Sequence, residues 1–296
     1  MQNELHFYKV AGHVFAVSAR CELLSQMQNY APFAVNPLNR STGEPVFTLT
    51  VHENGGIPAY TEDTRQADGE QSIICGKTQD GASVFDFCTR EISSGILACS
   101  RNFKQNNLHL KKDLDAYPYA INNALMVLYS IATANLGTAL FHASAIQNGN
   151  RAYLFLGKSG TGKSTHARLW LKHNEGLTLL NDDNPVVRIF KNGDGGTFAK
   201  VYGSPWSGKT PCYKNEEAEV GGFVLLSQAP FNKVSPLKGV AAYAALLPCI
   251  SGMRWNKEIA DALHRTENEL ATSIPVWHLE CLPDEAAARL CKETIA

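Results

Sequence analysis

From residue 5 to about 112 the apolar positions fall in short strand-like runs. The runs are "LHFYKV", "HVFAVSA", "VFTLTV", "SIICGK", "SVFDFC" and "GILACS", rich in β-branched and aromatic residues and broken by Gly, Asn and Asp. "NPLNRSTGEP" and "ENGGIPAYTEDTRQADGEQ" read as loops. This half predicts a β-rich module and carries no catalytic constellation. It either packs against the C-terminal half of the chain or helps to recognise a substrate.

The period changes at Asp113. "YAINNALMVLYSIATANLG" has apolar residues at helical spacing and ends on Gly137, a helix-stop residue. Two strand-like runs come next, "ALFHASAI" and "AYLFLG", joined by the turn "QNGN". After them stand a glycine-rich loop, the helix "KSTHARLWLKH" stopping near Gly176, and the buried strand "LTLL". "PVVRIF" and "TFAKVYG" flank "KNGDGG" as a hairpin, and "GGFVLLS" is another buried strand. Helical patterns fill roughly 238–249 and 255–272. The strand "IPVWHLECL" and the helix "DEAAARLCKETI" complete the run. Strands interleaved with helices predict an α/β core over 113–296, after a β-rich module over 1–112, α+β when the whole chain is considered.

Composition narrows the classes. The 296 residues suffice for one large domain or two ordinary ones, and 44% apolar with 19% charged residues is a globular balance. The net charge of −1 offers no basic field for nucleic acid. No apolar run approaches the roughly 20 residues of a membrane span, and "MQNELHFYKV" lacks a signal core. The cysteines, at 21, 75, 88, 99, 212, 249, 281 and 291, contain no Cys-x-x-Cys pair. That argues against a zinc site and for buried thiols in a reducing cytoplasm.

Chemistry concentrates in "LFLGKSGTGKSTHARLWL". Gly157, four residues, then Gly162-Lys163-Ser164 is the spacing of a phosphate-binding loop, placed after a strand and before a helix as the mechanism requires. Glycines at 157, 160 and 162 let backbone N–H groups turn toward phosphates. The helix start adds its positive end. Gly157, Lys158, Ser159, Gly160, Thr161, Gly162, Lys163, Ser164 and Thr165 are the candidate nucleotide-binding residues. Lys163 reaches toward β- and γ-phosphates, and the Ser164 hydroxyl suits Mg²⁺. Nineteen residues after Lys163, Asp182 and Asp183 end an apolar strand. One carboxylate of such a pair can help to hold Mg²⁺ while the other accepts a proton from an attacking hydroxyl. Capping of a turn by "NDDN" is the bland alternative. His142, 15 residues before Gly157, becomes interesting if the hairpin brings it near the phosphates.

"FHASAI", "YLFLGKSGTGKST" and "LLNDDN" together resemble two related families. One is the bacterial HPr kinase/phosphorylase, which has a histidine ahead of its P-loop and an Asp-Asp pair after it. The other is the ATP-dependent phosphoenolpyruvate carboxykinase, whose His-Cys-Ser-Ala strand and Ser-Gly-Thr-Gly-Lys loop are similar to residues 142–145 and 159–163 here. The resemblance covers about 138–190 and implies a P-loop kinase core that uses ATP and Mg²⁺. Carried over, Lys163 and Ser164 bind phosphates and Mg²⁺, Asp182 is the base, His142 assists it, and Asp183 supports the metal. Thr165 stands where the HPr kinase has Glu, which points to an acceptor other than HPr.

The expected activity is transfer of the γ-phosphoryl group to a hydroxyl on a protein serine or a small molecule. A nucleotide switch without an acceptor and a carboxykinase-like enzyme are the competing readings. The expected partners are ATP and that hydroxyl compound, with no nucleic acid and no membrane, and with room for a homo-oligomer. Two further segments carry candidate chemistry. In "GSPWSGKTP", Trp206 looks exposed and Lys209 stands close by, so the loop either closes over a phosphate or is anchored by the indole. Arg254 either reaches the phosphate or forms a surface ion pair.

Overall fold

The computed structural model describes residues 3–36, 43–53, 56–111, 117–208 and 210–296. It forms two compact units, Met1–Ala132 and Thr133–Ala296. Both are built around a large mixed sheet with few helices, so the chain is mixed α/β with strands dominating.

The first unit contains β1 (Glu4–Val10), β2 (His13–Ala19), α1 (Cys21–Ser25), β3 (Ala34–Val35), β4 (Thr48–His52), β5 (Thr61–Asp68), β6 (Gln71–Lys77), β7 (Ser83–Thr89), β8 (Ile92–Cys99), β9 (Gln105–Leu110) and α2 (Tyr117–Thr133). Its sheet runs β3-β1-β2-β4-β9-β8-β7-β6-β5. Only the β2–β4 and β4–β9 neighbours are parallel. Ala11 and Gly12, both at positive φ, make the two-residue turn between β1 and β2. Each of the six strand-like runs coincides with a strand, with only Val46, Phe47 and Ser100 falling outside the strand ends. One expectation is corrected: "TEDTRQAD", read as part of a loop, is β5, the outermost strand beside β6. The loop assigned to residues 36–45 falls largely outside the described residues. The helix α2 lies on this sheet: a Cβ placed on Gly95 would stand 3.0 Å from that of Ala120, and the Tyr129 hydroxyl donates to the Val10 carbonyl at 3.0 Å.

The second unit contains β10 (Thr138–Phe141), β11 (Ala143–Asn148), β12 (Arg151–Leu156), α3 (Lys163–His173), β13 (Leu177–Asn181), β14 (Val186–Lys191), β15 (Thr197–Tyr202), β16 (Glu217–Gln228), β17 (Lys233–Leu237), α4 (Val240–Leu246), β18 (Ile250–Ser251), α5 (Lys257–Ser273), β19 (Val276–Cys281) and α6 (Glu285–Ile295). The order is β13-β11-β12-β16-β15-β14-β10-β18, with β19 paired to both β16 and β17. Only β12–β16 and β16–β19 are parallel. The expected alternation of strand and helix therefore yields a largely antiparallel sheet. The reason is local: "QNGN" and "KNGDGG" close hairpins, and a hairpin can join only antiparallel neighbours.

Helices cover the centre of this sheet. Tyr153 and Phe155 of β12, Ala167 and Trp170 of α3, Val224 and Leu226 of β16 and Cys291 of α6 form one buried cluster. The α5 start is capped by the Asn256 side chain, and the α6 start by Asp284. This packing fixes the strand ends from which the candidate site is made.

Candidate functional site

The registers gather three segments at one sheet edge. Ala143 at the start of β11 faces Leu156 at the end of β12, and Ala145 faces Asn181 at the end of β13. Because β11 is antiparallel to both neighbours, its entry lies beside their exits. His142 therefore sits next to the loop that leaves β12 and the Asp pair that leaves β13. His142 itself separates β10 from β11 rather than lying inside one strand. Its backbone N–H donates to the Cys249 carbonyl at 2.7 Å, and Ala143 N–H donates to the Asp183 carbonyl at 2.9 Å.

The glycine-rich loop takes the expected curl. Gly157, Gly160 and Gly162 have φ of 149°, 78° and 109°, in a region that side chains with a Cβ seldom adopt. Space beside Gly160 and Gly162 is open to at least 4 Å from a built Cβ, while Gly157 packs on Thr161. The Thr161 hydroxyl and N–H both donate to the Lys158 carbonyl, at 2.7 and 3.1 Å. Lys163, the first residue of α3, is 9% exposed, and its ammonium donates to the carbonyls of Gly157 at 3.0 Å and Lys158 at 3.4 Å. The amine is thereby folded back over its own loop. Ser164 is the next residue, on the first turn of α3.

Asp182 and Asp183 occupy different surroundings. Asp182 is buried and its Oδ1 accepts a 2.6 Å hydrogen bond from the Ser144 hydroxyl. The Asp183 side chain is 35% exposed, and Oδ1 stands 3.8 Å from His142 Nδ1. Burial pushes the Asp183 carboxyl above the usual carboxylate range, and Asp182 adds to this, while His142 and Lys163 pull the other way. Asp183 N–H donates to the Asn181 side chain at 2.9 Å, and its Oδ2 accepts from Asn184 Nδ2 at 2.9 Å. The histidine thus stands against Asp183, and Asp182 is held by Ser144.

The segment "GSPW" ties this strand end down. Asn181 Nδ2 donates to Ser204 Oγ at 3.1 Å and to the Trp206 carbonyl at 3.4 Å. Ser204 Oγ donates to the Asn184 carbonyl at 2.6 Å and accepts from Trp206 N–H at 3.1 Å. Trp206, which looks exposed in sequence, is 2% exposed. Its indole anchors the loop. A Cβ on Gly208 would stand 3.1 Å from that of Asp183, so the loop passes directly against the carboxylate. Lys209 lies outside the described residues. Arg254 is committed elsewhere: its guanidinium pairs with the fully buried Glu267 and donates to the Leu247 and Ile250 carbonyls. The surface ion pair expected of it is an ion pair with a buried partner.

Ser144, Asn181 and Ser204 shape the site, and the sequence patterns single out none of them. Ser144 stands within "FHASAI", one residue beyond Ala143. Its relation to Asp182 depends on a strand pairing across 38 positions, which local pattern does not reveal.

The open cradle at Gly160 and Gly162 and the hydroxyl and carboxylate oxygens of Ser164, Asp182 and Asp183 are the donor types that suit a nucleotide phosphate with Mg²⁺. No protein-family model matches the chain, and no curated protein matches it either.

Proposed function

We propose that the second unit is an ATP-dependent phosphotransferase that moves the γ-phosphoryl group to a hydroxyl, on a protein serine or a small molecule. The observation that carries this reading is the convergence of the β11 entry with the β12 and β13 exits, which puts His142, the Lys163 loop and the Asp pair at one edge. A switch needs the loop and a carboxylate for Mg²⁺, but it needs no base poised for an acceptor hydroxyl.

In this reading the loop from Gly157 to Thr165 holds the phosphates through backbone N–H groups, and Lys163 releases its carbonyl partners to meet them. Mg²⁺, held by Ser164 and Asp183, would neutralise charge on the phosphates. Asp182 takes the proton from the acceptor hydroxyl. The acceptor oxygen forms its bond to the γ-phosphorus as the bond to the β-bridging oxygen breaks and ADP leaves. The Ser144 hydroxyl fixes one oxygen of Asp182 and leaves the other for that proton. In this reading residues 138–190, which resemble the HPr kinase-like group in their motifs, serve as a P-loop kinase core.

A second division of labour rests on a specific observation. Asp183 is the more exposed carboxylate, faces His142, and has its affinity for a proton raised by burial. Exchanging the roles makes Asp183 the base and Asp182 the carboxylate on the metal side.

ATP turnover measured with and without a panel of hydroxyl acceptors tests the activity. Stimulation by an acceptor, with phosphate recovered on it, supports the kinase. Equal turnover without any acceptor supports an NTPase switch, and activity that requires oxaloacetate supports a carboxykinase.

A further inference from the structure

We propose that Glu4, His6 and Cys21 bind a zinc ion on the first unit, with a water-filled fourth position. The proposal is independent of the phosphotransferase reading, whose residues all belong to the second unit.

Strand geometry brings two of the donors together. Glu4 and His6 are two residues apart on β1 and so share one face of the sheet. The third comes from the adjacent chain. β2 runs antiparallel to β1 and ends at Ala19, opposite Glu4. After Arg20 the chain turns into α1, whose first residue is Cys21. The thiol is thereby returned over the pair. Its sulfur lies 3.1 Å from Glu4 Oε2 and 3.7 Å from His6 Nε2. All three donor atoms lie within 4.8 Å of one another, and among the described residues this is the group of three such donors with that spacing.

The two sulfur distances match the ion. Zinc binds sulfur at about 2.3 Å and nitrogen or oxygen at about 2.0–2.2 Å in a tetrahedron, which makes each sulfur edge roughly 3.5 Å. The two observed sulfur edges bracket that value, so coordination requires shifts of only a few tenths of an ångström on those edges. The donor types also select the metal. Thiolate and imidazole favour zinc over Mg²⁺ or Ca²⁺, which take oxygen. On binding, the Cys21 S–H proton passes to solvent and an S–Zn bond forms. His6 contributes the neutral Nε2 lone pair. Thiolate and carboxylate then balance the two positive charges of zinc. Glu4 and Cys21 are exposed and His6 half-buried, so the ion has a path in. The neighbouring cation, Arg20, is engaged by Glu53 and does not compete for Glu4.

The full chain should take up one equivalent of Co²⁺ or Zn²⁺ in the absence of nucleotide. The cobalt form should show a thiolate-to-metal charge-transfer band, and Cys21→Ala should abolish it. His6→Ala and Glu4→Gln should weaken zinc by at least about tenfold, a loss that even changes to outer-shell partners produce. The unmodified protein supplies a check that no variant's folding affects. Zinc, and not Mg²⁺, should slow alkylation of Cys21 by iodoacetamide, read by mass spectrometry of its peptide and reversed by a chelator. Three results would each overturn the site: no stoichiometric uptake, a charge-transfer band that persists in Cys21→Ala, or unchanged Cys21 alkylation at saturating zinc.

Discussion

The Ser144 hydroxyl donates a 2.6 Å hydrogen bond to Oδ1 of Asp182, from one strand to the end of its neighbour. Ser144 is fully buried and Asp182 nearly so. The carboxylate is held in one orientation at a strand end, where "NDDN" would otherwise be free to act as a turn. Two residues earlier, His142 stands against the adjacent carboxylate instead. One short segment, 142–144, therefore addresses both members of the Asp pair.

Removing the Ser144 hydroxyl tests how much that orientation matters. Hydrogen bonds to charged groups contribute about 1.5–3 kcal/mol. Ser144→Ala should lower unfolding stability by about 2 kcal/mol in urea titrations and reduce acceptor phosphorylation more than it reduces ATP affinity. Unchanged stability would mean that water replaces the hydroxyl, and that the bond does not constrain Asp182.

Lys163→Ala removes a charge that the proposed site aims at phosphates. Its ammonium donates to carbonyls of its own loop and lies outside the buried apolar cluster, so the fold should survive. ATP binding by calorimetry should be lost, with the circular dichroism spectrum retained. Normal turnover in this variant would remove the loop from the active site.

The pH dependence of stability should carry the mark of His166. It lies on the inward side of α3, edge-on to Phe155 at 4.8 Å and beside Trp170, with neither ring nitrogen hydrogen-bonded. Burial lowers its pKa from 6.5 to about 4. The unfolded chain therefore binds a proton in this window that the folded chain refuses. Stability is level above the unfolded value, falls as the pH drops toward about 4, and levels off below it. The whole shift corresponds to about 3 kcal/mol. His166→Leu should flatten that part of the profile. Urea unfolding monitored from about pH 7 to about pH 4.5 in both proteins measures the difference, and parallel profiles would contradict it.

Elements with an apolar face are legible in the sequence, and those without one are not. "SVFDFC" and "GGFVLLS" lie in β7 and β16 because their side chains fill a core. β5, "TEDTRQAD", is exposed along its whole length, so no periodicity distinguishes it from a loop; only its pairing with β6 makes it a strand. β17 escapes the pattern because Pro236 interrupts "KVSPL", yet the strand pairs only with β19 and tolerates a missing N–H there. Trp206 looks exposed because Gly, Ser and Lys surround it, whereas tertiary packing buries it. The loop glycines are legible because positive φ is a local demand. The partner of each carboxylate is not, because strand registers decide whether His142 meets Asp182 or Asp183.

That choice leads to the decisive comparison. If Asp182 is the base, Asp182→Asn keeps the size and the acceptor oxygen for Ser144 but loses the basicity. It should bind Mg²⁺-ATP with near-normal affinity and transfer to the acceptor about 10²–10⁴ times more slowly. Asp183→Asn should then weaken Mg²⁺ binding first, so that transfer needs a higher Mg²⁺ concentration. His142→Ala should cost less than Asp182→Asn, because the histidine tunes a carboxylate and does not itself take the proton. If the exchanged roles hold, the pattern inverts. Asp183→Asn loses transfer with ATP affinity intact, Asp182→Asn loses ATP affinity, and His142→Ala shifts the pH profile of transfer, because it stands 3.8 Å from the base. Calorimetric ATP affinity beside single-turnover transfer, measured for the three variants across pH, separates the two divisions. Turnover unchanged in all three would end the kinase reading and leave a nucleotide switch in its place.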